Sequence, residues 1–166
     1  MHTAANICIV SAAFPGDAGL VWKLFSEYVQ TLGVDLAFQG FDTELAQLPG
    51  KYAPPSGDVL LARNDAGDAL ACVALRATAV RDTGEIKRLY VCPSARGQGL
   101  GRRMAEAIIG RARELGYANV VLDTLVGMEA ARRLYAELGF RLIPPYYENP
   151  LPGTSYMALE LRPSSG

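Results

Sequence analysis

The chain has 166 residues, half of them hydrophobic and one fifth charged, with a formal net charge of −1 and a pI near 5.8. That composition belongs to a soluble globular protein able to bury its own core as one domain over residues 1–166, and its near-neutral balance argues against a general nucleic-acid binder. No apolar run approaches the roughly 20 residues of a membrane span.

The start, Met1-His2-Thr3-Ala4, lacks a basic n-region followed by an apolar core. Cys8, Cys72 and Cys92 are odd in number and show no C-x-x-C spacing, so neither a disulfide frame nor a metal site is expected. The resulting expectation is a cytoplasmic protein with no membrane or nucleic-acid partner and with a homodimer left open.

Residues 6–14 read as a short first strand, broken by Pro15-Gly16-Asp17 with Asp17 placed to cap a helix. Val21, Leu24, Phe25, Tyr28, Val29 and Leu32 then follow helical spacing on one face until Gly33. Residues 43–48 suggest a short second helix. Two apolar strands, 59–63 and 69–76, flank a loop of turn residues, Asn64-Asp65-Ala66-Gly67-Asp68. A strand over 85–91 stops at Pro93, which brings no N–H donor to a sheet.

Gly97, Gly99 and Gly101 follow at alternate positions, and a helical pattern then begins with Leu100, Met104, Ala107, Ile108 and Leu115. After Gly116 come a strand at 120–124, a helix marked by Ala131, Leu134, Tyr135 and Leu138, and strands at 141–143 and 156–161. The order is β-α-(α)-β-β-β-α-β-α-β-β, with no internal repeat or linker.

A strand, a glycine turn and a helix N-terminus can together aim free backbone N–H groups at an anion, so the stretch reads as a diphosphate cradle. The spacing excludes two familiar cradles. Counting G-x-G-x-x-G from Gly97 or Gly99 ends on Arg102 or Met104, and no Gly-Lys-Ser/Thr occurs. A methyltransferase glycine turn fits poorly too, because Ala95 stands where an acidic residue normally precedes those glycines.

What remains is Arg96-x-x-Gly99-x-Gly101, which resembles the pyrophosphate motif of the GCN5-related N-acetyltransferases, Gln/Arg-x-x-Gly-x-Gly/Ala after a fourth strand. A second segment, Leu134-Tyr135-Ala136-Glu137-Leu138-Gly139-Phe140, resembles that family's Leu-Tyr-x-x-x-Gly-Phe signature, and the order of elements agrees over nearly the whole chain.

The resemblance implies an α/β (α+β) acyl-CoA acyltransferase fold, with a mixed, mostly antiparallel sheet of about seven strands flanked by helices. It also implies an N-acetyltransferase that moves the acetyl group of acetyl-CoA to a primary amine of a small molecule or peptide by direct attack. A non-catalytic acyl-CoA sensor on the same fold is the alternative.

Such a reaction needs a grip on the cofactor, a deprotonated amine, a stabilised oxyanion and a proton for the leaving thiolate. Backbone groups of Arg96, Gly97, Gln98, Gly99, Leu100, Gly101 and Arg102 would supply the grip, helped by the helix dipole. Residues 94–116 carry five arginines against two glutamates, a net +3 that suits phosphate. By the resemblance, Leu89 and Val91 would lie beside the pantetheine arm through their backbones, with the N–H near Val91 an oxyanion donor.

Tyr135 matches the tyrosine that protonates the thiolate. Glu85, eleven residues before Arg96, matches a catalytic glutamate of the histone-acetylating branch, and strand alternation puts it on one face with Leu89 and Val91. An amine of pKa near 10.4 is neutral in about one molecule in a few thousand at pH 7, so a base matters. Glu85 and a water relay both remain open, whereas His2, the only histidine, lies at the terminus.

Phe38, Phe41, Tyr52, Tyr146 and Tyr147 are candidates to line the acceptor site, beside Glu148, and Lys87 or Arg88 is placed to pair with a substrate carboxylate. Met128 departs from the family pattern, standing where many members carry an Asn that touches the pantetheine arm. Cys92 has no histidine partner to make it an acyl-accepting thiolate.

Overall fold

The computed structural model describes residues 6–37 and 40–161; Phe38 and His2 therefore lie outside the described residues. Seven strands form one sheet: β1 (Cys8–Ser11), β2 (Asp58–Arg63), β3 (Ala69–Ala77), β4 (Thr83–Val91), β5 (Asn119–Thr124), β6 (Arg141–Ile143) and β7 (Ser155–Glu160). Their spatial order is β1-β2-β3-β4-β5-β7-β6. Every neighbouring pair is antiparallel except β4 with β5, which are joined by a helical crossover.

The helices are α1 (Ala18–Leu32), α2 (Phe41–Ala46), α3 (Leu100–Glu114) and α4 (Glu129–Glu137), with a 3₁₀ turn at Gly50–Tyr52 after α2. The second helix thus starts two residues before the expected span and ends two residues short of it. Asp17 does not cap α1; its carboxylate accepts from the Ala13 N–H at 2.8 Å and pairs with Arg63 at 3.3 Å. The aspartate closes the Pro15-Gly16 turn onto β2 instead.

Each sheet face buries its own apolar cluster. The expected stripe of α1 holds, with Val21, Leu24 and Phe25 buried and Tyr28, Val29 and Leu32 packed around them, against Val59, Leu61, Cys72 and Ala74. On the opposite face, α3 buries Leu100, Met104, Ala105, Ile108, Ile109 and Ala112 against Leu60, Val73, Leu75 and Ile86. Ala107 and Leu115 are only partly covered, so the helix is turned slightly towards Ala105 and Ala112 relative to its sequence pattern. Truncating a side chain such as Met104, which is fully buried, is expected to cost about 2–5 kcal/mol.

Two irregularities in β4 position the site. Pairing with β5 covers only Thr83 with Asn119, Gly84 with Val120 and Glu85 with Val121, after which the ladder between the two strands ends. Three residues further along, β4 bulges. Its register to β3 jumps from Lys87 opposite Ala74 to Tyr90 opposite Cys72, so Arg88 and Leu89 together oppose Val73, and Arg88 has a φ of 61°.

The bulge reverses the alternation of the strand. Lys87 and Tyr90 share the α1–α2 face through their partners Ala74 and Cys72, and Glu85 shares it through Arg76, whereas Ile86, Leu89 and Val91 pack on the α3–α4 face. Glu85 therefore stands on the face opposite Leu89 and Val91. The expectation of a common face fails because a period of two cannot survive an inserted residue.

Candidate active site

The glycine turn is built to leave backbone donors exposed. Gly97 and Gly99 have φ of 81° and 73°, a region costly for a residue with a Cβ, and both have open space around them. α3 begins at Leu100 with no side-chain cap, and its first turn closes with the Arg103 N–H donating to the Gly99 carbonyl at 3.2 Å. The N–H groups from Gly97 to Arg102 precede that bond, at the positive end of the dipole of a helix of 15 residues.

The Arg96 N–H is directed at the Pro93 carbonyl at 3.4 Å, so the cradle starts one residue later than the motif does. The Arg96 side chain folds back as well. Its Nε donates to the Val91 carbonyl at 3.0 Å, and its guanidinium lies 5.9 Å from the centre of the Tyr90 ring.

Most of the arginines expected to attract phosphate have protein partners. Arg102 pairs with Glu137 and Glu106, Arg111 with Asp58 and Glu114, and Arg103 donates to the Ile7 carbonyl. Glu137 of α4 and Asp58 of β2 offset two of the three net positive charges of this segment, which leaves the backbone N–H groups as its main free donors towards an anion.

Where β4 and β5 part, a narrow slot of about 40 Å³ runs between them, lined on the β4 side by residues 86–89 and on the other by Leu122, Asp123 and Tyr135. Tyr135 is 5% exposed, its ring packs edge-on against Phe140 at 5.3 Å, and its hydroxyl makes no hydrogen bond among the described residues. Burial holds its pKa above the usual tyrosine value, so the phenol keeps its proton. Tyr28 enters the slot from α1, its phenol likewise pushed up by burial to about 12. Met128 lines the slot too, and its sulfur accepts the Leu125 N–H at 3.3 Å.

On the α1–α2 face a wider cleft of about 830 Å³ opens beside the slot, and Lys87 lines both. Glu85, Tyr146 and Tyr147 line this cleft. Glu85 is 4% exposed; its carboxylate accepts from Arg76 Nε at 2.9 Å and from the Tyr146 hydroxyl at 2.7 Å. Burial alone would raise its pKa, but the Lys87 and Arg76 cations and the two hydrogen bonds outweigh burial and hold it below the ordinary value. Burial also lowers the Lys87 pKa, partly offset by Glu85.

The Tyr147 hydroxyl donates to Asp123, and the rings of Tyr146, Tyr147 and Tyr156 pack against one another at 5.3–5.5 Å.

The other candidates lie elsewhere. Phe41 is buried in the α1–α2 cluster with the Arg88 guanidinium 5.3 Å above its ring, and lines neither cavity. Tyr52 is buried in the same cluster, its hydroxyl donating to Glu44 at 2.8 Å. Arg88 makes a two-pronged pair with that same Glu44, at 3.0 and 3.1 Å, so the guanidinium is spent on α2 rather than offered to a substrate. The Cys92 thiol is held above its usual pKa by burial and by Glu27, the wrong direction for a nucleophile.

Sequence reasoning missed Arg76, Asp123 and Tyr28. Asp123 left a signal, the one charged residue of its strand; Arg76 and Tyr28 left none beyond their types.

Comparison with known proteins supplies the context for this geometry. Residues 21–140 match the model of the "Acetyltransferase (GNAT) family". An uncharacterized N-acetyltransferase of Schizosaccharomyces pombe is 44% identical over 161 residues, covering 97% of this chain and 99% of that protein. The N-acetylaspartate synthetase of Danio rerio is 30% identical over 118 residues, 71% of this chain but 42% of the synthetase. Among solved structures, an acetyltransferase from Salmonella typhimurium with its cofactor acetyl-CoA superimposes with a TM-score of 0.73 at 22% identity, covering 98% of each chain.

Proposed function

Because the chain belongs to the GNAT family of acetyltransferases and uses acetyl-CoA, we propose that it acetylates a primary amine of a small molecule or peptide by direct attack, with donor and acceptor bound together. The observation that carries this reading is the parting of β4 from β5 after Glu85. It opens a slot reaching Tyr135, and it lets that slot meet the wider cleft at Lys87.

The residues present fit the cofactor. The N–H groups from Gly97 to Arg102 would hold its diphosphate, and the β4 backbone at Leu89 and Val91 would flank its arm. Bound there, acetyl-CoA supplies an activated thioester. Tyr135 is the proton donor to the departing sulfur, since burial keeps its hydroxyl protonated at neutral pH and it makes no hydrogen bond among the described residues.

Glu85 draws the acceptor ammonium inward. Its depressed pKa makes it a weak base, so the proton leaves through water that Glu85 orients rather than resting on the carboxylate. Cys92 takes no part.

The test is thermal unfolding with acetyl-CoA, followed by an amine screen read as thiol release. A ligand at a hundred times its dissociation constant adds about 2.7 kcal/mol, several degrees for a chain of this length. Stabilisation by CoA species and amine-dependent thiol release are expected. The absence of either overturns the enzyme reading.

A further inference from the structure

The acceptor cleft has a strong charge asymmetry. Lys51, Arg76, Lys87 and Arg141 line it, against a single carboxylate, Glu85. This excess stands on a chain whose formal charge is −1, so it is local to the cleft. Arg76 is matched by Glu85 at 2.9 Å, but Lys51 and Arg141 are exposed and form no ion pair among the described residues.

The placement of these charges is ordered. Glu85 is buried and paired with Arg76, and the equally buried Lys87 borders the slot, while Lys51 reaches in from the 3₁₀ turn packed on β3 and Arg141 from the edge strand β6. Between them the floor is apolar, with Val121, Ala158 and Ile143. The inner carboxylate is already matched by Arg76 and Lys87, so the charge left over is the pair of cations on the outer walls, which suits an acceptor that trails a carboxylate.

The geometry points to a small amine carrying at least one carboxylate, an amino acid or amino diacid, as the acceptor. The proposal rests on the acetyltransferase reading above and narrows it. The two outer cations hold the carboxylate through charge-assisted hydrogen bonds, and the ammonium turns towards Glu85 and the slot. Polyamines and amides of the same skeleton lack the anion and meet only repulsion or an unfilled site. The field of the cleft also speeds the encounter of such acceptors, an effect that salt weakens.

The experiment compares L-aspartate with its diamide, L-alanine with L-alaninamide, and spermidine, each with the full chain and acetyl-CoA, read as thiol release. The amides carry the less basic amines, so intrinsic reactivity at neutral pH favours them, and a preference for the acids must come from the site. We expect each acid to exceed its amide in kcat/KM by about tenfold or more. Lys51→Glu and Arg141→Glu should each raise KM for the acids by about tenfold, leave KM for acetyl-CoA unchanged, and leave the amides as well used or better. Both residues are exposed, so folding is not at stake.

Equal or better use of the amides or of spermidine overturns the proposal, as does an unchanged KM in both variants. Acetyl-CoA stabilisation in the same plates separates this failure from failure of the enzyme reading. If no acceptor turns over, thermal shifts with aspartate and its diamide decide it: a shift with the acid alone, lost in the Lys51→Glu and Arg141→Glu variants, supports the cleft, and no such shift overturns it.

Discussion

The two sides of the site are made of different materials. The side proposed for the cofactor is backbone: a turn with glycines at positive φ and a helix start without a side-chain cap. The side proposed for the acceptor is side chain: Arg76, Glu85 and Tyr146 in one hydrogen-bonded group, Tyr147 with Asp123 in another, and Arg88, Glu44 and Tyr52 in a third. A backbone site depends on conformation and tolerates changes in its neighbours. A buried network of charges depends on every member being present, because each ion is costly once its partner is gone.

The largest expected effect lies in the network. Glu44→Ala leaves the Arg88 guanidinium, 5% exposed, without its two-pronged partner and strips the Tyr52 hydroxyl of its acceptor. A loss of about 3–5 kcal/mol is expected, a fall in Tm on the order of 10 °C by calorimetry. Because Arg88 sits in the bulge that shapes the slot, acetyl transfer should fall as well. A variant as stable as the parent would mean that the bulge holds without its anchor.

Next is Tyr135→Phe, which touches no protein hydrogen bond among the described residues. Stability should change by less than about 1 kcal/mol, the range of small changes that leave packing and partners intact. If Tyr135 donates the proton, kcat should fall by about a hundredfold at unchanged KM for acetyl-CoA. Unchanged turnover would return Tyr135 to a packing role against Phe140.

A smaller effect is expected on the backbone side. Gly99→Ala forces a Cβ into a left-handed residue with φ of 73°, a strain of about 1–2 kcal/mol, although space around it is open. Relief of that strain would tilt the first N–H groups of α3, so acetyl-CoA should bind about tenfold more weakly by titration calorimetry while the acceptor KM stays put. If affinity holds, the diphosphate does not depend on this turn.

This contrast also explains what the sequence made legible. The glycine turn is local, carried by three glycines within five residues, so its place and its neighbouring strand and helix could be read directly. The acceptor side joins residues 44 and 88, 76 and 85, 85 and 146, and 123 and 147, pairs set by the sheet order and invisible to periodicity. The bulge left no mark either, because an arginine at positive φ has no sequence signature. That one inserted residue undid the expected facing of Glu85, and the Glu44 partner removed Arg88 from the acceptor candidates. Tyr146 and Tyr147 were candidates by type in a loop, and nothing in the sequence named Glu85 and Asp123 as the carboxylates they contact.

The finest discrimination concerns Glu85 and pH. Its folded pKa lies below the ordinary 4.5, so its pairing with Arg76 and Tyr146 stabilises the fold fully above the unfolded value and is lost as pH falls through the folded one. The cost of Glu85→Gln, about 1–3 kcal/mol from weakened partners, should therefore be constant between about pH 6 and 8 and shrink only in acid below 4.5. For the same reason Glu85 adds no inflection to kcat/KM between about pH 5 and 8, where the rising limb belongs to the acceptor ammonium losing its proton. Glu85→Gln should lower the whole profile without moving that limb. A limb that disappears in the variant would show Glu85 titrating near neutrality, as a base whose pKa the bound acceptor raises, and would reverse the assignment of proton removal to water.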